Sequence, residues 1–305
     1  MPAVNDAGTV PAGLVLCIGR LYCDLVFTGL DALPSLGRER FARDAAIAPG
    51  GGAFITAAHL RGIGRPAALL SRLGTDPVST ALERPLAESG VDLSFLERAT
   101  DAGPQLTVAI VKDADRAFLS RRAGHACPST LDAALLAPGA RHLHIAEYAT
   151  LFEIPDLVAR AKAQGLSVSL DPSWDDALIH DDSLLDRCAG VDLFLPNAEE
   201  ARAITKTDDV ERALDRMAGR FPLVVIKMGA DGALLAAGTR RLDRSAPQVA
   251  VVDTTGAGDA FNAGFIDRWI DGGRLEDCLA EAVACGSLSV QAAGGATLLK
   301  AEAAT

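Results

Sequence analysis

The sequence predicts an α/β protein in which helices cover both faces of a mainly parallel central sheet. Short runs rich in Val, Ile and Leu recur along the chain, and helix-length stretches such as 155–164 and 198–204 lie between them. This alternation is typical of parallel strands that are joined by helical crossovers. The runs are "GLVLCIGR", "PAALLSRLG", "LTVAIVK", "HLHIAE", "LSVSLDP", "VDLFLPN", "LVVIKMG" and "GALLAAG".

Two segments depart from the alternation and predict a small antiparallel flap outside the main sheet. "DLVFTGLDAL" and "LTVAIVKDADRAFLSRR" each show strand, turn and strand, and "KDAD" is a hairpin signal. This flap, or lid, is expected over about residues 25–48 and 105–124. Towards the end of the chain, two Ala-rich helices are predicted on either side of "DGG".

The 305 residues, of which 49% are hydrophobic, are enough for one large α/β domain or two small ones. No internal repeat and no linker divides the sequence, which favours a single domain over residues 13–300. Residues 1–12 are expected to form a flexible N-terminus. Six scattered cysteines without a C-x-x-C pair predict buried, reduced thiols rather than a zinc site or disulfides.

The charge and the N-terminal residues bear on partners and location. A formal net charge of −11 argues against a nucleic-acid backbone or an anionic membrane as partner, since both favour a basic surface. The first residues, "MPAVNDAGTVPAG", lack the basic and apolar segments of a signal peptide, and no run of about 18 apolar residues follows. We therefore expect a cytoplasmic location.

The stretch "VVDTTGAGDAF" carries the clearest chemical signal in the chain. A strand leads into a glycine-rich turn, and the residues after it have the apolar spacing of a helix. Gly256 and Gly258 allow consecutive backbone N–H groups to point one way, and the helix start adds a positive dipole end, which together predict an anion cradle. Asp259 is then placed to take a proton from a substrate hydroxyl, although an Asp at this position also suits a helix N-cap.

"DTTGAGDAF" resembles the C-terminal signature of the PfkB (ribokinase-like) carbohydrate kinases. The resemblance extends over about residues 14–297, because "IGRLYCD", "PGGGAFITAAHLRGIG", "SRLGTD", "LPNAEE" and "KMGADGALL" follow the family's order. It implies a ribokinase-like three-layer α/β/α sandwich with a small β lid. It also implies transfer of the γ-phosphoryl group of ATP to a hydroxymethyl group of a sugar, nucleoside or related alcohol.

The resemblance assigns the residues of the phosphoryl-transfer site. Asp259 becomes the general base, and the N–H groups of Gly256, Ala257 and Gly258 form the anion hole. Many members of the family are activated by K⁺ beside this hole, and Asp253 and Thr255 match the ligands from the signature. The rest of that ring would come from "AAGGAT" at 292–297.

The nucleotide side follows from the same resemblance. Asn197 and Glu200 match the family's Asn-x-x-Glu element, with Glu200 acting on the hydration shell of Mg²⁺ and Asn197 near the phosphates; an N-capped helix with a solvated Glu is the alternative. Lys227 and Gly229, at the end of a strand, line the nucleotide site, although Lys227 also suits a solvated strand end.

A helix that carries two further predicted nucleotide-site residues follows the signature. By resemblance, the helix around Ala282 and Cys285 walls the adenine pocket. An ordinary core helix would have the same apolar pattern, so this assignment depends on the resemblance alone.

On the acceptor side, the resemblance implies a site that holds the sugar-like substrate. Asp24 takes the place of the Asp that holds two sugar hydroxyls, and Gly50 and Gly51 offer backbone N–H groups near the ring. Glu147 takes the place of a sugar-contacting Glu and, as a charged residue after an apolar strand, needs a partner.

The chain departs from the family at two acceptor positions. Ile55 stands where the motif Gly-Gly-x-x-x-Asn has its Asn, and Tyr22 stands where an Asn is frequent. A pocket with these residues would bind fewer hydroxyls and accept a larger or less polar group, which puts ribose in doubt. Arg121 and Arg122 of the lid either contact an acidic acceptor or are solvated surface residues.

Three further expectations complete the prediction. Lids of this family often pair between two subunits, which implies a homodimer. His142 and His144 alternate on one strand and, without a third ligand at a suitable spacing, are expected to be ordinary strand residues. A nucleoside kinase and a non-catalytic nucleotide- or sugar-binding relative stay open as alternatives, whereas a dinucleotide-dependent dehydrogenase would need Gly-x-Gly-x-x-Gly where the chain has "GRLYCD".

Overall fold

Two sheets form the framework of the computed structural model, which describes residues 13–112, 115–292 and 295–296. The expectation for residues 1–12 lies outside the described residues. In chain order the strands are β1 (Leu14–Ile18), β2 (Tyr22–Thr28), β3 (Asp44–Gly50), β4 (Ala67–Leu73), β5 (Leu96–Arg98), β6 (Leu106–Lys112), β7 (Asp115–Arg121), β8 (Ala140–Ile145), β9 (Ser167–Leu170), β10 (Leu193–Phe194), β11 (Leu223–Lys227), β12 (Ala233–Ala237) and β13 (Arg240–Arg244).

The larger sheet is mainly parallel. Its strand order is β13-β12-β11-β10-β9-β8-β1-β4-β5, and only the pairs β11 with β12 and β12 with β13 are antiparallel. The helices are α1 (Gly52–Gly62), α2 (Pro77–Thr80), α3 (Glu83–Glu88), α4 (Leu131–Leu135), α5 (Tyr148–Glu153), α6 (Leu157–Ala163), α7 (Leu184–Arg187), α8 (Ala198–Thr205), α9 (Val210–Ala218), α10 (Ala257–Ile270) and α11 (Leu275–Ser289). A 3₁₀ turn covers Gly229–Asp231.

Strand β1 shows why helices cover both faces. Side chains alternate along a strand, and Val15 and Cys17 pack into one core with α1, α10 and α11, while Leu16 and Ile18 pack into a second core with α4 to α9. A strand that is apolar at successive positions therefore needs a helical layer on each side. The predicted three-layer α/β/α sandwich is confirmed. None of the helices within the described ranges is long and apolar enough to cross a membrane.

The lid is a separate four-stranded sheet in the order β3-β2-β6-β7. β2 pairs antiparallel with β3 and β6 with β7, but β2 and β6 run parallel, so the prediction of a wholly antiparallel flap is wrong. The second strand of the first arm is β3 rather than the "LDAL" stretch, where Pro34 and the positive φ of Gly37 favour a loop. In the second arm Lys112 pairs with Asp115, and the turn at 113–114 lies outside the described residues.

The eight apolar runs all contain strands, and the predicted helices at 155–164 and 198–204 correspond to α6 and α8. The sequence reading missed β13, whose residues "RRLDR" are mostly exposed. An edge strand of this kind needs no apolar pattern, because charged side chains protect its open edge from pairing with other chains.

Leu70 of β4 offers a test of the core beneath the second helical layer. Its side chain is 0% exposed, so Leu70→Ala should lower the free energy of unfolding by about 2–5 kcal/mol through lost burial and the cavity left behind. Urea unfolding measures the change. Leu136→Ala, at a residue that is 66% exposed, is the control and should change it by less than about 0.5 kcal/mol.

Candidate active site

Charged side chains meet where the parallel strands of the large sheet end. Glu147 and Asp171 follow β8 and β9, Lys227 is the last residue of β11, and α10 begins beside them at Ala257. The carboxyl ends of parallel strands lie at one edge of a sheet, which is where open α/β sheets bind ligands. Two cavities open at this edge.

The predicted anion cradle lies at the start of α10. Gly256 caps the helix with φ +74°, and a Cβ on this residue would lie 2.5 Å from the carbonyl oxygen of Gly295. Only glycine fits both conditions. A Cβ on Gly258 would lie 3.4 Å from Lys227 Nζ, so an ammonium group stands beside the open N–H groups of a helix of 14 residues.

Asp259 lies in the first turn of α10, between the two cavities. Its Oδ1 accepts a 3.4 Å hydrogen bond from Thr56 Oγ1 and would lie 2.9 Å from a Cβ on Gly52. Burial and the nearby carboxylate of Asp171 raise the pKa of Asp259 to about 8, against the opposing effect of Lys227. A carboxyl group with this pKa ionises in the range around pH 8, and the carboxylate that results can accept a proton from a hydroxyl group.

Asp171, which the sequence reading missed, is the centre of a buried polar cluster. Its Oδ2 accepts hydrogen bonds from Lys227 Nζ and, at 2.6 Å, from Asn262 Nδ2, while Oδ1 accepts at 3.2 Å from the backbone N–H of Ser173. Asp171 is 6% exposed. It directly follows the run "LSVSL", and a charged residue after an apolar strand is the pattern that could have pointed to it; Glu147 was assigned by the family resemblance.

Asn197 and Glu200 form a capping box at the start of α8. Asn197 Oδ1 accepts a 2.9 Å hydrogen bond from the N–H of Glu200, and Glu200 Oε2 accepts a 2.7 Å bond from the N–H of Asn197. Glu200 is 4% exposed rather than solvated. Burial and Asp171 raise its pKa to about 7, which Lys227 opposes.

The larger cavity, of about 650 Å³, lies over the start of α10 and is bordered by both predicted strand-end residues, Lys227 and Gly229. Its walls are mainly apolar, as in sites that hold flat organic groups. Helix α11 and its C-cap residue contribute the set Val283, Gly286, Ser287 and Val290, whose spacing places them on one helix face.

This face corrects the prediction for Ala282 and Cys285. Ala282 is fully buried, and Cys285 packs towards α10, where its Sγ would lie 2.8 Å from a Cβ on Gly264. Neither residue borders the cavity. Both residues belong to α11 but lie away from the face that borders this cavity.

The second cavity, of about 430 Å³, lies between the sheet edge and the lid. It includes four of the predicted acceptor-site residues, Tyr22, Asp24, Gly51 and Glu147. Burial raises the pKa of Asp24 to about 6, and within the described part of the chain no hydrogen-bond partner of its carboxylate is found. Glu147 Oε1 accepts hydrogen bonds from the N–H of Arg20 at 3.2 Å and from Thr150 Oγ1 at 2.8 Å.

Each cation of the second cavity has its own carboxylate partner. Arg122 donates to Asp175 Oδ2 at 2.6 Å and also hydrogen-bonds Tyr22, so the lid is joined to the loop after β9. Arg20 forms an ion pair with Glu153. Of the adjacent lid residues Arg121 and Arg122, Arg122 borders the cavity, whereas Arg121 donates to the carbonyl oxygen of Pro104.

Two of the predicted acceptor-site residues do not border the second cavity. Gly50 supports Asp24 from behind, since a Cβ there would lie 1.9 Å from Asp24 Oδ2. Ile55 is 5% exposed and belongs to the core, with its Cδ1 3.0 Å from where a Cβ on Gly295 would stand. The expectation that Ile55 makes the acceptor pocket less polar is therefore wrong.

The predicted K⁺ ligands lie just before the cradle. Asp253 Oδ1 accepts hydrogen bonds from the N–H of Thr255 at 2.8 Å and from its Oγ1 at 2.7 Å. Of the segment 292–297, residues 293, 294 and 297 lie outside the described residues; the carbonyl oxygen of Gly295 is 2.9 Å from His59 Nε2.

His142 and His144 are fully buried in β8. His142 Nδ1 lies 2.8 Å from Ser167 Oγ and its Nε2 lies 2.7 Å from Ser169 Oγ, which is also 2.8 Å from His144 Nδ1. Burial lowers the pKa of both imidazoles, that of His144 to about 4. They are neutral strand residues held by serine hydroxyls.

Comparison with known proteins identifies the family of this chain. The family model described as "pfkB family carbohydrate kinase" matches residues 13–302. The chain belongs to the pfkB family of carbohydrate kinases.

Relatives with several acceptors are found within this family. An ATP-dependent ribose-1-phosphate kinase of Halopiger xanaduensis is 30% identical over 95% of this chain and 96% of its own length. A 2-dehydro-3-deoxygluconokinase of Bacillus subtilis is 30% identical over 74% of this chain and 75% of its own. The Arabidopsis thaliana ribokinase solved with ribose and ATP has a TM-score of 0.80 at 23% identity, covering 95% of this chain and 96% of that one, and shares the ribokinase-like fold.

The raised pKa of Asp259 can be tested without any ligand. Between its ordinary value of 3.8 and about 8 the folded protein keeps a proton that the unfolded chain releases, so unfolding becomes easier as the pH rises. Asn cannot ionise, so the stability of Asp259→Asn relative to the unchanged protein should increase between about pH 5 and pH 8, by at most about 1.4 kcal/mol per pH unit. Urea unfolding at a series of pH values measures it.

Asp76→Asn is the control of opposite sign. Burial works against the shift, but hydrogen bonds from the Ser79 hydroxyl and from backbone N–H groups lower the pKa of Asp76. The ionised Asp76 carboxylate therefore stabilises the folded protein above its ordinary pKa, and this stabilisation is lost as the pH falls. A stability difference for Asp259→Asn that does not change with pH would show that this carboxyl ionises normally.

Proposed function

We propose that this carbohydrate kinase transfers the γ-phosphoryl group of ATP to a hydroxymethyl group of a neutral sugar or sugar-like molecule. The position of Asp259 carries the proposal. Its carboxylate faces Gly52 of the smaller cavity and belongs to the first turn of α10, whose Ala257 and Gly258 border the larger one. A base at the boundary of two cavities can serve a hydroxyl bound in one while phosphate lies in the other.

ATP, when bound, supplies the phosphoryl group and is held with Mg²⁺. In this proposal the larger cavity takes the nucleotide, with the base against the apolar face of α11 and the phosphates at the N–H groups of Gly256, Ala257 and Gly258. These three residues are small, so their backbone N–H groups are open to an anion. Lys227 Nζ adds a positive charge beside Gly258. Asp259 orients the acceptor hydroxyl and takes its proton.

The ions of the proposal depend on oxygen-bearing side chains near the phosphates. Glu200 and Asn197 lie at the start of α8, and the backbone of Asn197 forms a parallel β-bridge with Lys227. We propose that Glu200 contacts the water shell of Mg²⁺ while Asn197 lies near the phosphates. Asp253 and Thr255 offer oxygens beside Gly256 for K⁺. The six free cysteines and the use of ATP suit the cytoplasm.

The smaller cavity suits a neutral acceptor. Arg20 forms an ion pair with Glu153, and Arg122 forms one with Asp175. Within the described residues Asp24 forms no ion pair with a cation, and burial raises its pKa. An acidic acceptor would meet Asp24 and Glu147 without a free cation, while a polyol can donate hydroxyl hydrogens to both. Trp174, which is 42% exposed in the same cavity, offers a flat apolar surface that also suits a nucleoside.

A panel assay tests the function and the acceptor class. ADP release with Mg·ATP and K⁺ is measured for ribose, fructose and cytidine and for the anionic compounds gluconate and ribose 1-phosphate. We expect a neutral acceptor to be turned over, and Asp259→Asn to lower kcat by about 10²–10⁴ while thermal stabilisation by Mg·ATP persists.

Asp192→Asn is the matched control, since Asp192 lies at the opposite edge of the sheet and pairs with Lys162. It should leave kcat unchanged. Turnover of Asp259→Asn at the rate of the unchanged protein would refute the base. Binding of Mg·ATP without turnover of any acceptor in an enlarged panel would favour the non-catalytic relative.

We also propose a homodimer that forms through the lid. The lid exposes apolar side chains to solvent, among them Phe41 at 80%, Ile47 at 55% and Leu119 at 73%, and a patch of this kind marks an interaction surface. A second copy of the same lid is the occupant that the family resemblance favours.

Sedimentation velocity at micromolar concentration tests the dimer. Leu119→Asp should shift the protein to the monomer, because the introduced charge would have to be buried. Leu136→Asp, at a residue of similar exposure outside the lid, should remain a dimer. A monomer for the unchanged protein, or equal behaviour of the two variants, would contradict the proposal.

A further inference from the structure

A buried cluster around Asp171 joins three separate elements at the proposed phosphoryl-transfer site. Asp171 follows β9, Lys227 ends β11, and Asn262 lies in the middle of α10. One carboxylate oxygen, Asp171 Oδ2, accepts hydrogen bonds from both of the other side chains. The proposed function assigns a role to Lys227 and to α10 but none to the group that holds them.

The first contact decides where the ammonium of Lys227 stands. A lysine side chain has four flexible carbons, and its charge takes a defined position only when partners hold it. Among the described residues, this ammonium forms an ion pair with Asp171. The Lys227 and Asp171 side chains are 11% and 9% exposed. The ion pair places Nζ 3.4 Å from where a Cβ on Gly258 would stand, beside the N–H groups of the cradle.

The second contact decides how α10 is turned about its axis. Asn262 is fully buried, and its Nδ2 donates to Asp171 at 2.6 Å. It follows Asp259 by three residues, so the two side chains lie on the same face of the helix. A bond from Asn262 to the sheet therefore keeps Asp259 turned towards the boundary of the two cavities.

We propose that Asp171 is a positioning residue of the phosphoryl-transfer site, which holds the Lys227 ammonium beside the anion cradle and keeps the face of α10 that bears Asp259 turned towards the acceptor. The inference rests on the proposed function, because it takes Asp259 as the base. Asp171 acts through these two residues and not on the reacting atoms.

The position of the cluster has an electrostatic consequence that a merely structural role would lack. Five groups among the described residues face Asp259: Cys17 from β1, Thr56 from α1, Asp171 directly after β9, Glu200 from α8 and Lys227 from β11. Asp171 is the strongest of the charges that raise the pKa of Asp259, and Lys227 lowers it. Loss of the Asp171 charge leaves Lys227 facing Asp259 with less compensation, so the pKa of Asp259 should fall.

The first experiment compares Asp171→Asn with Asp192→Asn. Both remove the carboxylate of a Lys–Asp pair, since Asp192 lies 2.7 Å from Lys162 Nζ at the opposite edge of the sheet. With Mg·ATP and the neutral sugar that the panel assay selects, Asp171→Asn should lower kcat by about 10–100-fold and leave the acceptor KM within about twofold. The acid limb of its pH–rate profile should move to lower pH, whereas Asp192→Asn should change neither.

A second measurement needs no substrate. Urea unfolding of ligand-free protein compares the double variant Asp171→Asn/Asp259→Asn with Asp171→Asn alone. The pH range over which Asp259→Asn raises the free energy of unfolding should lie at lower pH in this background than in the otherwise unchanged protein. An unmoved range together with an unmoved acid limb would overturn the inference. Such a result would leave the proposed function intact, whereas turnover by Asp259→Asn alone would refute the base.

A double variant covers the case in which Asp171→Asn does not fold because Lys227 is left unpaired. Asp171→Asn with Lys227→Met removes both charges together. If Asp171 acts through Lys227, the double variant should lose no more than about threefold in kcat beyond Lys227→Met alone. A further loss of the full 10–100-fold would contradict the part of the inference that concerns Lys227.

Discussion

The placement of α10 is the constraint on which the rest of this molecule depends. Its first turn lies at the edge of the sheet between two cavities, and the rest of the helix packs against α1 and α11. Gly264 allows this packing, because any side chain there would meet Cys285 of α11. Near the C-terminal end, Arg65 donates to Asp267 at 2.7 Å and so joins the helix to the loop between α1 and β4.

Among the described residues, the buried carboxylates of the site outnumber the cations that could compensate them. Asp171, Glu200 and Asp259 all lie near one buried cation, Lys227. Because a single ammonium cannot compensate three carboxylates at low solvent exposure, burial and mutual repulsion raise the pKa of Glu200 to about 7 and of Asp259 to about 8. Both groups therefore ionise near neutral pH, in the range where a carboxyl group can release and take up a proton.

Much of the fold could be predicted because it depends on local pattern. The central strands are apolar at successive positions, since both their faces are covered, and this pattern is visible without any partner. The lid was predicted only in outline. Whether β2 runs parallel or antiparallel to β6 depends on how two distant segments meet, and β13 is exposed and carries no apolar signal. The candidate site divides in the same way, since Gly256, Gly258 and Asp259 lie within one local motif.

The sequence by itself determined the chemistry that can be read within a few residues: a glycine turn at a helix start, a carboxylate beside it, and charged residues at the ends of apolar strands. Only the tertiary structure decided which face of α11 borders the larger cavity, that Ile55 belongs to the core, and that Arg122 is compensated by Asp175. It also decided that Asp171 meets Lys227 and Asn262, which lie 56 and 91 residues further along the chain. Contacts over such separations depend on how the layers pack, and a pattern that repeats every two or four residues carries no information about them.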